Sequence, residues 1–223
     1  MHIPDGFIDI KTSAAFAAAS ALAVAGAVKG ARRQLSEQSA PLAGLTAVFI
    51  FAVQMLNFPV AAGTSGHLIG AALAMVLVGP YAATLALVVV LIIQAFLFAD
   101  GGLTALGLSI FNMAVISVWV SFAVFMLLKK IFPKTKSWLV IATFVSALIS
   151  VPAAAVGFVI QYAIGANATF SVGAVLNAMV GTHILIGIGE AIITELTVSA
   201  VLASRSDLVF GWDKKNTTLE IRS

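Results

Sequence analysis

The groups in this chain with the chemistry to bind or react are few: three histidines, nine acidic residues and the α-amine beside His2. The chain begins Met1-His2-Ile3-Pro4-Asp5-Gly6. Methionine aminopeptidases trim chains whose second residue is small, and His2 is bulky. Met1 is therefore expected to stay after deformylation, leaving a free amine next to an imidazole. The amine, the deprotonated main-chain amide of His2 and its Nδ1 can close a five-membered and then a six-membered chelate ring on one ion. Those three nitrogens lie in a plane, and a fourth would complete a square. Square-planar nitrogen is diagnostic for Ni(II) or Cu(II). The candidate for the fourth position is His67, which follows Ala61-Ala62-Gly63-Thr64-Ser65-Gly66. The hydroxyls of Thr64 and Ser65, and the amide of Asn57, are placed to orient a ligand from behind. Pro4-Asp5-Gly6 supplies a turn to bring the tail back. With no cysteine in the chain, thiolate nucleophiles, thiolate metal sites and disulfides are excluded.

Three further polar residues need a reason. His183 reads either as a hydrogen-bonding residue packed among Gly181, Thr182 and Gly187 or as a partner of the metal ligands. Glu190 and Glu195 are costly in an apolar setting and should face the protein interior. Five positions apart on a helix, they point in different directions. Both readings, a structural hydrogen bond and a proton relay, stay open for them.

The elements that must position these groups are membrane helices. Hydrophobic residues make up 61% of the 223 and charged residues only 9%, with a mean hydropathy of +1.10. A water-facing surface needs about 25% charge, so a soluble globular protein is excluded. A disordered chain is excluded by the same hydrophobicity. Leu85–Leu97 shows no alternation of polarity, so the spans are helices and not barrel strands. Seven apolar segments are expected as crossings: 12–28, 41–60, 67–78, 81–98, 104–128, 137–164 and 172–203. The third is short and ends at Gly79-Pro80, so it reads as half of a tight hairpin or as the start of one long helix from Leu68 to Phe98. The seventh is long and carries Gly173, Gly181, Gly187 and Gly189; it reads as one helix or as a re-entrant turn before a crossing.

Charge orients the chain. Every Lys and Arg except Lys11 falls after the first, fifth or seventh segment, and cytoplasmic loops are enriched in these residues. Seven crossings with an extracytoplasmic N-terminus and a cytoplasmic C-terminus put all of those clusters inside. The basic cluster follows the first apolar run instead of preceding it, the reverse of a secretory signal. The expected organisation is one integral membrane domain: an extracytoplasmic metal-binding tail over 1–11, an all-α seven-helix bundle over 12–204 and a cytoplasmic tail over 205–223. Pairs such as Ala14/Ala18 and Ala21/Ala25 allow close helix approach. No nucleic-acid partner is expected.

The opening Met-His-Ile-Pro-Asp-Gly-Phe resembles the CbiM/NikM family of cobalt and nickel uptake proteins. So do Asn57-Phe58-Pro59-Val60 running on to Gly63-Thr64-Ser65-Gly66-His67-Leu68-Ile69-Gly70, Asp100-Gly101-Gly102-Leu103 and Phe111-Asn112-Met113. Gly181-Thr182-His183 and Gly189-Glu190-Ala191 extend the match over nearly the whole chain. The resemblance implies the substrate-binding component of an energy-coupling-factor importer of the prokaryotic cell membrane. It implies Ni2+ or Co2+ as cargo, held by Met1, His2 and His67. It also implies two ATPase subunits, a transmembrane scaffold subunit and a small accessory membrane subunit as partners. No G-x-x-x-x-G-K-[ST] loop occurs, so the chain would not hydrolyse ATP itself. Nickel against cobalt stays open.

Two rival readings use other residues. Gly63-Thr64-Ser65-Gly66 with His183 as base would make an intramembrane serine hydrolase, which needs the two side chains in hydrogen-bond reach. Glu190 and Glu195 would serve an ion-coupled secondary transporter, for which internal inverted repeats are expected. Neither uses Met1, His2 and His67.

Overall fold

The structure is a computed structural model that describes residues 1–34, 40–60, 64–133 and 135–212, with the main chain alone at 58, 59, 64 and 65. Among the described residues there are seven helices: α1 (Ile10–Gln34), α2 (Ala40–Gln54), α3 (Ala71–Val78), α4 (Pro80–Leu97), α5 (Leu106–Ile131), α6 (Lys136–Gly165) and α7 (Val172–Ser204). A short antiparallel hairpin, β1 (Phe58–Val60) with β2 (Thr64–Gly66), stands between α2 and α3. Three helix starts, those of α1, α6 and α7, follow polar caps. Asp9 Oδ1 accepts the N–H groups of Lys11 and Thr12 ahead of α1, and Thr135 and Ser171 do the same for α6 and α7. These side chains satisfy donors that a first helical turn leaves orphaned.

Five helices, not the expected seven, are long and apolar enough to cross a membrane: α1, α4, α5, α6 and α7. The expected crossings at 41–60 and 67–78 are helices of 15 and 8 residues. At about 1.5 Å per residue they span roughly 22 and 12 Å, short of a hydrocarbon core of about 30 Å. For α3 the physical reason lies in what its apolar residues touch. All eight residues of α3 are buried inside the protein, so their hydropathy serves the core and not lipid. Between the two helices the described residues form the hairpin strands and an irregular link at 67–70. The excursion starts and ends at one end of the bundle, because Gly79, which closes α3, lies against the side chain of Gln34 at the end of α1. Removing two crossings as a pair therefore leaves Met1 and Trp212, the first and last described residues, at opposite ends of the bundle.

The break at Gly79, with φ +81°, settles the third segment as two helices, α3 and α4. The seventh is one unbroken helix of 33 residues. The core is filled by Phe125, Phe158, Tyr162, Met113 and Leu108, with α3 at its centre. One end of the bundle is basic: Lys29, Arg32 and Arg33 close α1, Lys129 and Lys130 close α5, and Lys136 opens α6. Lys129 and Lys136 there donate to the carbonyls of Gly211 and Leu202. Lys134, Lys214, Lys215, Arg222 and the loop at 61–63 lie outside the described residues. The other end gathers the N-terminal tail, the loop at 98–105 and the loop at 166–171, and carries Asp5, Asp9 and Asp100.

Candidate metal centre

The tail over residues 1–9 is bound along both sides. Gly102 N–H donates to the Ile3 carbonyl at 2.8 Å, and Thr104 gives both its N–H (2.8 Å) and its hydroxyl (2.5 Å) to Asp5 Oδ1. On the opposite side Asn167 binds the carbonyls of Gly6 and Phe7, and Asp9 N–H donates to Gly165 at 2.7 Å. A Cβ on Gly102 would lie 2.4 Å from Asp5 N, so only glycine lets the tail lie this close. The Asp100-Gly101-Gly102 string thereby acquires a physical role as the bed of the tail.

These contacts seat the first residues inside the protein. Met1, His2 and Ile3 are buried, as is His67. The Met1 amine stands 2.5 Å from His67 Nε2, and the rings of His2 and His67 are 4.8 Å apart between centroids, tilted by 31°. The structure thus brings together the three residues singled out from the sequence. His67 Nδ1 is 2.8 Å from the Leu68 carbonyl, which can only accept, so Nδ1 carries the proton and Nε2 keeps its lone pair. His2 Nε2 is 3.5 Å from Asp100 Oδ2, which in turn accepts from Asn57 Nδ2 at 3.1 Å. The chelate expected from the sequence uses the other ring nitrogen of His2, Nδ1. An open hollow of about 310 Å³, lined by His2, Asp5 and Asp100, lies against this side of the tail.

Burial sets the protonation of all three groups. Desolvation pushes the Met1 amine down to about 4, with Asp100 opposing it. His2 is held well below its ordinary value by burial and then by the amine. For His67 the causes are burial, the amine, His2 and His183, opposed by the bond to Leu68. The result is three neutral nitrogen bases meeting in one buried place at neutral pH, the form that metal ions require. Among the described residues no three His, Cys, Asp or Glu side chains converge. A divalent ion here would have to draw on main-chain nitrogen, as the Met1 amine and the His2 amide provide.

The remaining sequence candidates are placed as follows. His183 is buried on α7, its Nδ1 donating to the Met179 carbonyl at 2.7 Å, and among the described residues its Nε2 has no hydrogen-bond partner. Glu190 is buried, and its carboxylate accepts the N–H groups of Ile69 and Gly70 at 2.6 and 3.0 Å. Glu195 is half-buried in a groove beside Lys136, whereas Glu190 lies among Gln54, Ile69 and Gly70. The side chains of Thr64 and Ser65 lie outside the described residues; the main chain of Ser65 pairs with Pro59 in the hairpin. Sequence reasoning missed Asp100 as the neighbour of His2. Its signal is the Asp100-Gly101-Gly102 string, an acid set in a glycine turn.

The chain as a whole is similar to known metal-transport proteins. Residues 2–208 match the profile of the CbiM family, described as the cobalt uptake substrate-specific transmembrane region. A protein of Haloquadratum walsbyi named for metal transport is 39% identical over 212 residues, covering 94% of each chain. A protein of Archaeoglobus fulgidus named as a fused nickel transport protein, NikMN, is 38% identical over 209 residues, covering 94% of this chain and 68% of that one. The crystal structure of a truncated transition metal transporter superposes with a TM-score of 0.84 at 32% identity, covering 91% of this chain and 99% of the other. The chain is a multi-pass protein of the prokaryotic cell membrane, and it belongs to the CbiM family of substrate-specific transmembrane metal-uptake components.

Proposed function

We propose that this chain captures Ni2+ or Co2+ as the substrate-binding component of an energy-coupling-factor importer, with the ion held by four nitrogens. These are the Met1 amine, the deprotonated His2 amide, His2 Nδ1 and His67 Nε2. The observation that carries the reading is the buried contact of 2.5 Å between the Met1 amine and His67 Nε2 with the His2 ring alongside. Without metal the neutral amine donates to His67. With metal, nitrogens at about 2.0 Å from the ion stand about 2.8 Å apart at right angles, so the pair separates by a few tenths of an ångström. The Irving–Williams order ranks Ni(II) above Co(II) on such nitrogen donors.

The basic end of the bundle is the cytoplasmic one by the positive-inside rule, which puts the tail and the capture site at the extracytoplasmic face. The energy must come from elsewhere, because the sequence holds no phosphate-binding loop. Proteins of this family act with the ATPase and transmembrane components of energy-coupling-factor transporters. For this chain the reading is two ATPase subunits, a transmembrane scaffold and a small accessory membrane subunit. The exposed face of α1 that carries Ala14, Ala18, Ala21 and Ala25 supports helix docking of this kind.

The test is a metal titration of the purified chain with its native start, against a form carrying one extra residue before Met1. The extension removes the primary amine and has no room, since Met1 is fully buried. High-affinity binding of Ni(II) by the native form and its loss in the extended form, and in His2→Ala and His67→Ala, is the expected result. Equal affinity in native and extended forms would show that the amine is not a ligand.

A further inference from the structure

Glu190 lies near the middle of α7, in a stretch that is otherwise apolar, and is 2% exposed. A carboxylate there is expensive unless it answers a need of the surrounding main chain. The need is visible at residues 68–70. This link between the hairpin and α3 belongs to no helix or strand, yet it is packed among α2, α3 and α7, so its main-chain polar groups need partners from the protein. Glu190 Oε2 accepts from Ile69 N–H at 2.6 Å and Oε1 from Gly70 N–H at 3.0 Å. From the other side Gln54 Nε2 donates to the Ile69 carbonyl at 2.7 Å. Gly70 is left-handed at φ +77°, and a Cβ on it would stand 2.9 Å from Ile50 Cγ1. The link is thus tied to two helices, α2 and α7.

The connection to His67 runs through a single peptide unit. The Ile69 N–H that Glu190 accepts and the Leu68 carbonyl that receives His67 Nδ1–H are the two ends of the same planar group. Metal-binding histidines are commonly backed by a carboxylate on their second nitrogen. Here the carboxylate reaches the ring through an intervening amide. The Glu190 bond at the N–H end polarises the C=O end, since hydrogen bonds in series strengthen one another. It also holds the plane of that amide, and with it the direction in which His67 Nε2 points.

We infer that Glu190 is a positioning residue for metal capture: through the 68–69 peptide it aims His67 Nε2 at the Met1 amine and strengthens it as a donor. The inference rests on the four-nitrogen reading above. Its effect is on affinity and on ligand field, because both depend on the direction and donor strength of Nε2. A carboxylate serving only to satisfy two N–H groups would affect folding alone.

The test uses the purified chain with native N-terminus in detergent, comparing the parent with Glu190→Gln, Glu190→Asp, Glu190→Ala and His67→Ala. Ni(II) affinity is measured by chelator competition, the visible d–d band of the Ni(II) form by absorption, and folding by thermal melting. Glu190→Gln keeps the volume but offers one acceptor and turns an NH2 group towards the second N–H. It should weaken Ni(II) binding by about 10- to 100-fold, the usual cost of removing a residue that orients a metal ligand. The band should move to longer wavelength, and Glu190→Asp should recover part of both. Glu190→Ala leaves two buried N–H groups unpaired and risks unfolding, so the Gln and Asp variants decide the test. If Glu190→Gln melts early but binds Ni(II) with parental affinity and band, while His67→Ala abolishes binding, the inference is overturned and the four-nitrogen reading stands. If His67→Ala also binds as the parent does, both fall.

Discussion

Substituting Gly102 by alanine tests whether the bed of the tail sets metal affinity. The new Cβ would stand 2.4 Å from Asp5 N, where ordinary contact begins near 3.4 Å. In a close-packed setting the tail or the loop must therefore give by about 1 Å. A shift of that size takes the Gly102–Ile3 bond of 2.8 Å past hydrogen-bond range and pulls Thr104 away from Asp5. The first bond contributes about 1 kcal/mol. The second involves an exposed carboxylate and is counted at no more than about 1 kcal/mol. In the metal-free chain the tail can lift to relieve the strain. In the metal-bound chain the nitrogens of Met1 and His2 fix it in place, so the cost falls on the bound state. A loss of about 1.5 to 2 kcal/mol corresponds to roughly 10- to 30-fold weaker binding. Calorimetric titration with Ni(II) measures this, with thermal melting as the control, since the helix packing is untouched. Affinity within threefold of the parent would refute the claim that the tail is held by this contact.

Asp100→Asn removes the charge 3.5 Å from His2 Nε2 and should weaken Ni(II) binding about tenfold, as loss of a carboxylate behind a ligating histidine does; calorimetry reads it. The tail should also come loose in acid. The Thr104 hydroxyl and N–H hold Asp5 below the usual carboxylate range, and the Thr12 N–H and hydroxyl do the same for Asp9. A depressed carboxylate contributes stability above its unfolded value and loses it as pH falls through the folded value. Protection of the amides in residues 3–12, taken relative to the intrinsic exchange rate at each pH, should therefore be high above about pH 4, the ordinary aspartate value, and fall below it before protection of the α4–α7 core does. Uniform protection across that range would mean that the two aspartates do not anchor the tail.

The site is more legible in the sequence than the topology is. Met1, His2 and His67 stand out because amine, amide and imidazole nitrogens have few structural uses at such positions, and the structure brings the three together. The reach from residue 2 to residue 67 does not follow from periodicity. It depends on Gly102, Thr104 and Asn167, which act across more than ninety positions of chain. The supporting acids are hidden for the same reason. Asp100 and Glu190 are recognisable as partners only once the Asp-Gly-Gly loop and α7 are folded against His2 and the 68–70 link. Crossing number fails on a different point. Hydropathy measures transfer out of water and does not distinguish lipid from protein interior. The segment over 67–78 is apolar because α3 is wrapped by its neighbours.

The short buried α3 and the site share one cause. A chain that leaves helical structure while enclosed at membrane depth exposes N–H and C=O groups that neither lipid nor water can satisfy. The α2–hairpin–α3 excursion does this at 68–70, and the answer is a glutamate and a glutamine sent in from α7 and α2. A continuous crossing helix would have needed neither. It would also have committed the main chain around position 67 to its own ladder, with the imidazole free to swing on its side-chain torsions. Breaking the helix allows His67 Nδ1 to bond to the carbonyl of the next residue, which turns Nε2 towards the tail. Glu190 and Gln54 are thus the structural consequence of breaking the chain at 68–70 inside the bundle. Substituting them should change what the site binds before it changes whether the helices pack.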